Sequence, residues 1–407
     1  MQTSISPDLL QNPDIAEADA ILRSCVHCGF CNATCPTYQL LGNELDGPRG
    51  RIYLIKEMLE GNTSTKKTQL HLDRCLTCRA CETTCPSGVQ YGRLVDIGRQ
   101  VIEQRAPRPL WQAIVRHALL AILPYPRRFS LLLGMGRIMR PLLPGALQRK
   151  IPPSRKKAIH TQASHTRTML LLEGCVQPLT APNTNAAAAR VLDKLGIALI
   201  SAPKAGCCGA LHQHLADASG AQDFMRRNID AWWPHVEQGA EAIVITASGC
   251  GLMVKEYGHV LKHDAAYAAK AARISALTRD LSEVLRDEKL DAFADIGQGT
   301  RVAYQSSCTL QHGQKLSGAV ENILHRCGYT LTPVADSHLC CGAAGTYTLL
   351  QPVLSQQLLE NKVAALQQGK PEVIATANIG CQLHIESATK VPVKHWIELL
   401  ELGFSTL

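Results

Sequence analysis

The 407-residue sequence lacks any uncharged apolar run near the length of about 18 residues that a membrane-spanning helix needs. Its longest candidate, ALLAILPYP from Ala118, is followed at once by Arg127 and Arg128. The first residues, MQTSISPDLLQNPDIAEADA, are polar and acidic and do not have the basic start and apolar centre of an export signal. We therefore expect a chain in the reducing cytoplasm, either free or peripheral to a membrane.

Signatures of organic cofactors are also missing. No G-x-G-x-x-G follows a predicted strand, and the sequence has neither a P-loop nor an HExxH motif. The segments GCCGA and CCGAAG place cysteines where a dinucleotide-binding turn needs other residues. We expect no flavin or NAD site and no catalytic residue for an organic substrate in this chain.

Acidic residues are almost absent from one long segment. Between Arg99 and Arg167 the sequence has fourteen Lys or Arg residues and a single acid, Glu103. Residues 106–166 are rich in Pro, Arg and Leu, which predicts a linker of short basic amphipathic helices interrupted by prolines. Such helices either pack on neighbouring domains or meet an anionic membrane face or a partner subunit.

Cysteine, in contrast, is abundant, with seventeen residues. In a reducing compartment, clustered cysteines indicate metal ligands or redox centres more than disulfides. CVHCGFCNATCP (25–36) and CLTCRACETTCP (75–86) have matching spacing. CxxCxxCxxxCP is the run with which bacterial ferredoxins hold 4Fe-4S clusters, and its fourth cysteine ligates the other cluster.

This rule predicts two 4Fe-4S clusters in an α-helical domain of residues 1–105. The expected ligands are Cys25, Cys28, Cys31 and Cys85 for the first cluster, and Cys35, Cys75, Cys78 and Cys81 for the second. Two structural zinc sites are the alternative, but zinc requires neither the third cysteine nor the CP ending. Helices are predicted from Pro48 to Gly61 and around Leu94, Ile97 and Val101. His27, Arg49 and Arg51 either contact the clusters or face solvent.

The remaining sequence is an internal duplication, with repeats at 167–298 and 299–407. Equivalent cysteines are separated by 133 or 131 residues, and Asn228 and Asn361 share the 133-residue offset. In each copy, short β-branched runs end at cysteines and helical segments lie between them, which predicts a parallel sheet with its functional groups at the carboxyl ends of the strands. The fold class is therefore α+β: a helical two-cluster ferredoxin domain followed by a tandem α/β domain.

Each repeat brings four cysteines from three loops. The two sets are candidates for a further iron–sulfur centre or a dithiol redox site, and the alternative is that they only keep the loops packed. They are Cys175, Cys207, Cys208 and Cys250 in the first repeat, and Cys308, Cys340, Cys341 and Cys381 in the second.

These features together resemble the iron–sulfur subunits of glycolate oxidase, within the wider CCG-domain family of heterodisulfide reductase, anaerobic glycerol-3-phosphate dehydrogenase and the lactate-utilisation proteins. The resemblance covers almost the whole chain and is most specific in the two cysteine blocks, NIDAWWP, TASGCG, DSHLCCGAAGTY and TANIGCQ. Where heterodisulfide reductase has CxxC, this sequence has Ala247 before Cys250 and Asn378 before Cys381, so we do not carry over heterodisulfide cleavage.

The resemblance implies an electron-transfer subunit of a multi-subunit oxidoreductase. A partner subunit with FAD would oxidise glycolate, or also D-lactate, and electrons would pass towards a membrane quinone at the inner face of the inner membrane. No nucleic-acid partner is expected. The alternatives are a thiol or heterodisulfide reductase, and the electron-transfer subunit of a lactate or glycerol-3-phosphate dehydrogenase complex.

Overall fold

The computed structural model describes residues 1–142, 144–148, 151–155 and 165–401. Parts of two predictions, the linker at 156–164 and the end of the second repeat at 402–407, lie outside the described residues. Among the described residues, no helix is both long and apolar enough to cross a bilayer.

The N-terminal region is helical. Its helices enclose a core that includes Leu22, Ile55, Leu72 and Leu94. Their bounds are α1 Pro7–Leu10, α2 Pro13–Ser24, α3 Phe30–Ala33, α4 Pro36–Leu41, α5 Pro48–Leu59, α6 Lys66–Asp73, α7 Ala80–Thr84 and α8 Tyr91–Arg105.

The two helices predicted between and after the cysteine blocks are present as α5 and α8. Pro48 occupies the first turn of α5, where its missing N–H costs no hydrogen bond. Gly98 lets α8 lie close to α5, because a Cβ at this position would come within 2.8 Å of the Ile55 side chain. The helix between the two cysteine blocks and the helix after them are therefore closely packed.

Three helices follow in the linker: α9 Leu110–Ile122, α10 Pro126–Met139 and α11 Gly145–Gln148. Pro126 begins α10, as the proline pattern predicts. Helix α9 has no buried residue, and α10 buries only Leu133. Most of the apolar surface of these two helices is therefore not used in packing within the chain.

The duplicated region forms two four-stranded parallel sheets with the same topology. The strand orders are β2-β1-β3-β4 and β6-β5-β7-β8. The strands are β1 Arg167–Leu171, β2 Ile197–Ser201, β3 Ile243–Ile245, β4 Thr278–Asp280, β5 Arg301–Gln305, β6 Thr330–Leu331, β7 Val373–Thr376 and β8 Val393–His395. The predicted α+β class and the parallel sheets are confirmed.

Helices cover both faces of each sheet. They are α12 Gln177–Thr180, α13 Pro182–Lys194, α14 Ala210–His214, α15 Ala218–Glu237, α16 Ser248–Lys255, α17 Tyr257–Val260, α18 Ala268–Leu277, α19 Leu281–Asp287, α20 Ala319–Arg326, α21 Tyr347–Leu350, α22 Pro352–Gln367, α23 Ile379–Glu386 and α24 Trp396–Glu401. Leu170 and Leu171 of β1 enter cores on opposite faces, as the strand period requires. The Leu171 core also contains Val302 and Trp396, so the two repeats share it.

Asn228 and Asn361 share the repeat offset but not their environment. Asn228 is fully buried on α15, where its Oδ1 accepts from the Gly206 N–H at 2.8 Å. Its Nδ2 donates to the Cys207 carbonyl and to the Tyr257 hydroxyl. Asn361 is exposed on α22. Asn228 alone therefore fixes the loop that carries a cysteine pair.

We expect Asn228→Ala to lower the free energy of unfolding by about 2–4 kcal/mol, because three hydrogen-bond partners lose their side-chain contact in a buried site. The matched control Asn361→Ala should change it by less than about 0.5 kcal/mol, since that side chain is at the surface. Urea titration followed by circular dichroism measures both variants. Equal losses in the two variants would contradict the assignment.

Candidate functional site

The two N-terminal cysteine blocks adopt the same backbone turn. His27 and Thr77 have positive φ, and so do Gly29 and Arg79, which occupy the other matching pair of positions. Three of these four are not glycine, so the left-handed turns are held by the surrounding structure at some local cost. Such turns place the three closely spaced cysteines of each block around one cavity. Of these four residues, only Gly29 is of a type that predicts a left-handed turn from the sequence.

The first cavity has a volume of about 420 Å³ and is lined by Cys25, Cys28, Cys31 and Cys85, together with Cys81. Cys25 is buried at the end of α2, whereas Cys28 is exposed. Burial first, and then the neighbouring Cys25, Cys85 and Cys28, together raise the pKa of Cys31 to about 11. Thiols that resist ionising together are stabilised as thiolates by bound metal cations.

The second cavity, of about 290 Å³, is lined by Cys35, Cys75, Cys78 and Cys81. Burial raises the pKa of Cys78 and of Cys81 well above the ordinary range, and Cys35 adds to both shifts. The Tyr91 hydroxyl lies 3.6 Å from the Cys75 sulfur. This group is more enclosed than the first.

The fourth cysteine of each block thus lies with the opposite block, which is the grouping expected from the ferredoxin spacing. Cys81, Pro48 and Tyr91 line both cavities, so the two are direct neighbours. Four inward-facing thiols around each cavity fit a 4Fe-4S cluster in number and chemistry. Iron ligation by these eight residues stays a prediction.

Arg51 is the fully buried cation beside the second cavity. Its Nε donates to the His71 carbonyl at 2.7 Å, its Nη2 to the Thr37 hydroxyl at 3.1 Å, and its Nη1 lies 4.0 Å from the Cys35 sulfur. Arg49 pairs with Glu44, and its partly exposed side chain lines the first cavity together with His27. The sequence did not decide whether these side chains contact the clusters or face solvent. The structure places Arg51 beside the second cavity, and Arg49 and His27 beside the first.

The cysteines of the second repeat also converge. The Cys308 and Cys340 sulfurs are 4.0 Å apart. The hydrogen bond with Cys340 lowers the pKa of Cys341, but the hydrogen bond with Cys381 and burial outweigh it and hold that pKa well above the ordinary range. Cys308 is, after burial, the largest influence raising the pKa of Cys78. This set therefore adjoins the second cavity.

A small apolar cluster encloses that junction. It comprises Leu76, Cys340, Tyr347, Leu354 and Leu358, with Cys78 and Cys308 packed against it. The Tyr347 hydroxyl donates to the Arg74 carbonyl at 3.0 Å, and Thr83 and His312 are hydrogen-bonded at 3.0 Å. The helical domain is thus joined to the second repeat at the point where their cysteines meet.

The first repeat brings its four cysteines together as well. Hydrogen bonds from Cys175 and then Cys208 hold the pKa of Cys207 well below its ordinary range. Cys208 has a raised pKa from its contacts with Cys207 and Cys250. This set lies beside Asn228 and Tyr257, in the interior of its own repeat.

The structure explains why a glycine follows each pair of adjacent cysteines. Gly209 and Gly342 both have φ of 87°, a conformation that favours glycine. A Cβ on Gly342 would also lie 2.7 Å from the Ser355 carbonyl oxygen of α22. The pair of thiols can therefore turn inward only with glycine behind it.

The two positions that depart from CxxC have different roles. Ala247 is buried before α16, while Asn378 caps α23 by accepting from the Gly380 N–H at 3.3 Å. Neither position supplies a further thiol. Each CCG set therefore has four cysteines.

Two protein-family models match parts of the chain. A family of 4Fe-4S dicluster domains matches residues 21–89. A cysteine-rich domain family, CCG, matches residues 169–255 and again residues 302–386.

Similar curated proteins cover the chain more completely. The glycolate oxidase iron-sulfur subunit of Escherichia coli K12 is 57% identical over 98% of each chain. A probable glycolate oxidase iron-sulfur subunit of Bacillus subtilis is 29% identical over 90% of this chain and 88% of its own. Lactate utilization protein A of Bacillus licheniformis is 27% identical, over 52% of this chain and 87% of its own length.

We expect Arg51→Lys to lower the free energy of unfolding by about 2–4 kcal/mol, because one ammonium cannot replace the guanidinium fork that reaches three acceptors in a buried site. The control Arg49→Lys should lower it by less than about 1 kcal/mol, since its partner Glu44 is exposed to solvent screening. Thermal unfolding of both full-length variants measures the difference. A loss in Arg49→Lys as large as in Arg51→Lys would refute it.

Proposed function

The chain belongs to the family of glycolate oxidase iron–sulfur subunits, and from this premise we propose that it transfers electrons within a glycolate oxidase (glycolate dehydrogenase) complex. Its partners are the other glycolate oxidase subunits, one of which carries FAD and converts glycolate to glyoxylate. The two electrons released there pass through this chain towards a membrane quinone. One observation carries the proposal: two neighbouring cavities are each lined by four of the predicted cysteine ligands, and the fourth cysteine of each block lies at the cavity of the other block.

In this proposal Cys25, Cys28, Cys31 and Cys85 hold one 4Fe-4S cluster, and Cys35, Cys75, Cys78 and Cys81 hold the other. A bound 4Fe-4S cluster accepts and releases one electron at a time. The chain's own contribution is to hold the two sets of thiolates side by side and to limit their contact with water. Because Cys81 lines both cavities, the two clusters would lie close to each other.

The first site is the proposed entry point. Cys28 is exposed, and beside it Val26 and Phe30 are 67% and 61% exposed. An apolar rim around an accessible ligand favours close approach of the partner subunit, which electron transfer requires. The cysteines of the second site are more buried, and both Arg51 and Arg79 line its cavity. Positive charge there favours the reduced, more negative state.

The second repeat supplies a candidate next step. The contact of Cys78 with Cys308 supports a further iron–sulfur centre held by Cys308, Cys340, Cys341 and Cys381. Electrons would then leave through this repeat. The first repeat's set, which lies inside its own repeat beside Tyr257, is assigned no step in this path.

We expect the purified chain to show no absorbance change with glycolate alone, and to bleach in the visible range once the flavin-bearing partner subunits are added under anaerobic conditions. The reason is that substrate oxidation requires a flavin that this chain does not carry. Glycolate-dependent dye reduction at full rate by the isolated chain would contradict the proposal. Faster bleaching with D-lactate or glycerol 3-phosphate would assign the chain to a different complex.

We expect iron analysis to find more than about eight irons per chain, because two 4Fe-4S clusters account for eight and the second repeat holds further iron. Cys85→Ser should lose about four irons with the first cluster. Cys340→Ser combined with Cys341→Ser should return the count to about eight.

Cys327→Ser is the matched control, since Cys327 is buried in the shared core away from every set. It should keep the wild-type iron content. A wild-type count of about eight that is unchanged by the Cys340 and Cys341 substitutions would exclude the third centre and leave the first two intact.

A further inference from the structure

The linker helices α9 and α10 present apolar stripes that the chain does not cover. On α9 the exposed residues recur at helical spacing: Leu110 (77% exposed), Trp111 (65%), Ile114 (58%) and Val115 (36%). On α10 and just beyond it they are Leu131 (74%), Leu132 (49%), Met135 (61%), Ile138 (80%), Met139 (51%) and Leu142 (83%). Clustered exposure on this scale marks an interaction surface.

The charges around the stripes are of one sign. The sequence has no Asp or Glu from residue 104 to residue 172. Arg127 and Arg128 are exposed at the start of α10, and the Arg128 guanidinium lies 4.3 Å from the centre of the Tyr125 ring. These two arginines stand where α9 turns into α10.

Two further arginines hold the segment in place: Arg137 reaches the first repeat at Leu179, and Arg140 bonds within the linker. The Arg137 side chain donates to the carbonyls of Pro152 and Leu179, and the Arg140 Nε donates to the Gln148 carbonyl at 3.1 Å. Because each of these acceptors is a neutral carbonyl, the contacts do not offset the positive charge of either guanidinium. The surface is thus held in place and stays cationic.

We propose that α9, α10 and Leu142 form a docking surface for a bilayer with anionic lipid headgroups. The apolar stripes would enter the headgroup boundary, Trp111 and Tyr125 would lie at the interface, and Arg127 and Arg128 would contact lipid phosphates. Helices of 13 and 14 residues are too short to span the bilayer, so they lie along its surface. The inference rests on the proposed transfer of electrons to a membrane quinone, since it explains how the chain reaches that acceptor.

The same surface is unlike the apolar rim at the first cluster site. Val26 and Arg49 both line the first cavity, and Arg49 forms an ion pair with Glu44 at 2.6 Å, so charge of both signs is present there. Mixed charge suits a protein partner, whereas an acid-free apolar face suits anionic lipid. The rim of the first cluster site therefore suits a protein partner, and the surface of α9 and α10 suits a membrane.

Cosedimentation of the full-length, iron-loaded chain with vesicles tests the proposal. We expect binding to phosphatidylglycerol-containing vesicles, weaker binding to pure phosphatidylcholine, and loss of the difference at high salt. Leu131→Ser with Ile138→Ser should weaken binding to both vesicle types by about tenfold or more. Arg127→Gln with Arg128→Gln should weaken binding to the anionic vesicles by about thirtyfold, at about 1 kcal/mol for each arginine.

Leu349→Ser with Val353→Ser is the matched control, because these side chains are 56% and 70% exposed on the second repeat. Their loss should leave vesicle binding unchanged. Equal binding by the control and the Leu131 and Ile138 variant would overturn the proposal, as would failure of the wild-type chain to bind either vesicle. Every variant must retain wild-type iron content and visible absorbance, which shows that it is folded.

Hydrogen exchange of the complex without vesicles separates a lipid surface from a subunit interface. We expect the exchange protection of α9 and α10 to be the same in the complex as in the isolated chain, and to rise when vesicles are added. Protection by the partner subunits alone would overturn the proposal. Failure of glycolate to reduce the chain in the complex would instead overturn the proposed function, and it would leave the vesicle result standing.

Discussion

The buried charge network around Asp46 is the interaction on which the N-terminal helical domain depends. Asp46 is fully buried, and its carboxylate receives Arg74 at 2.9 Å and His71 at 2.9 Å, with Arg51 at 3.8 Å. A lone carboxylate in this position would be costly, and so would a lone Arg51, so each is tolerated because the other is present. Through Arg51 the network reaches Cys35, which is the crossing cysteine of the first block. It therefore connects the chain just before Cys75 to the loop that must cross over to join it.

This network also explains why the two cluster sites differ. The second site is enclosed because α5, α6 and the loop of Cys35 close around the same buried charges. The first site has no such enclosure on the side of Cys28, which stays exposed. The two sites therefore differ in their contact with solvent: Cys28 of the first is exposed, whereas Cys35, Cys75 and Cys81 of the second are buried. Burial and nearby charge are the quantities through which a protein adjusts cluster potential.

Much of this arrangement could be predicted from the sequence, because it depends on local spacing. The cysteine runs, the helices starting at Pro48 and near Leu94, and the strands that precede the repeat cysteines all follow from short-range patterns. Contrary to the prediction, the strands do not end at the cysteines themselves, because Cys250 and Cys381 lie in the first turns of α16 and α23. The burial of Arg51 had a detectable signal too: Arg51, Ile55 and Met58 recur at helical spacing, so the arginine lies on the apolar face of α5. The left-handed conformations of His27, Thr77 and Arg79 had no such signal in the sequence. Tertiary packing imposes them, and these residue types do not predict a positive φ.

The two repeats have the same topology but differ in the residues that surround their cysteines. Both keep the strand order and the left-handed CCG glycine, since these are needed to turn two adjacent thiols inward. They differ in what holds the loop: Asn228 and Tyr257 in the first repeat, and Ser355, whose hydroxyl donates to the Gly342 carbonyl, in the second. Only the second faces Cys78, so only there would an added metal centre lie next to the cluster domain. Because a parallel sheet presents its loops at one edge, a single duplication produced both sets, and docking of the helical domain decides which of them adjoins the path.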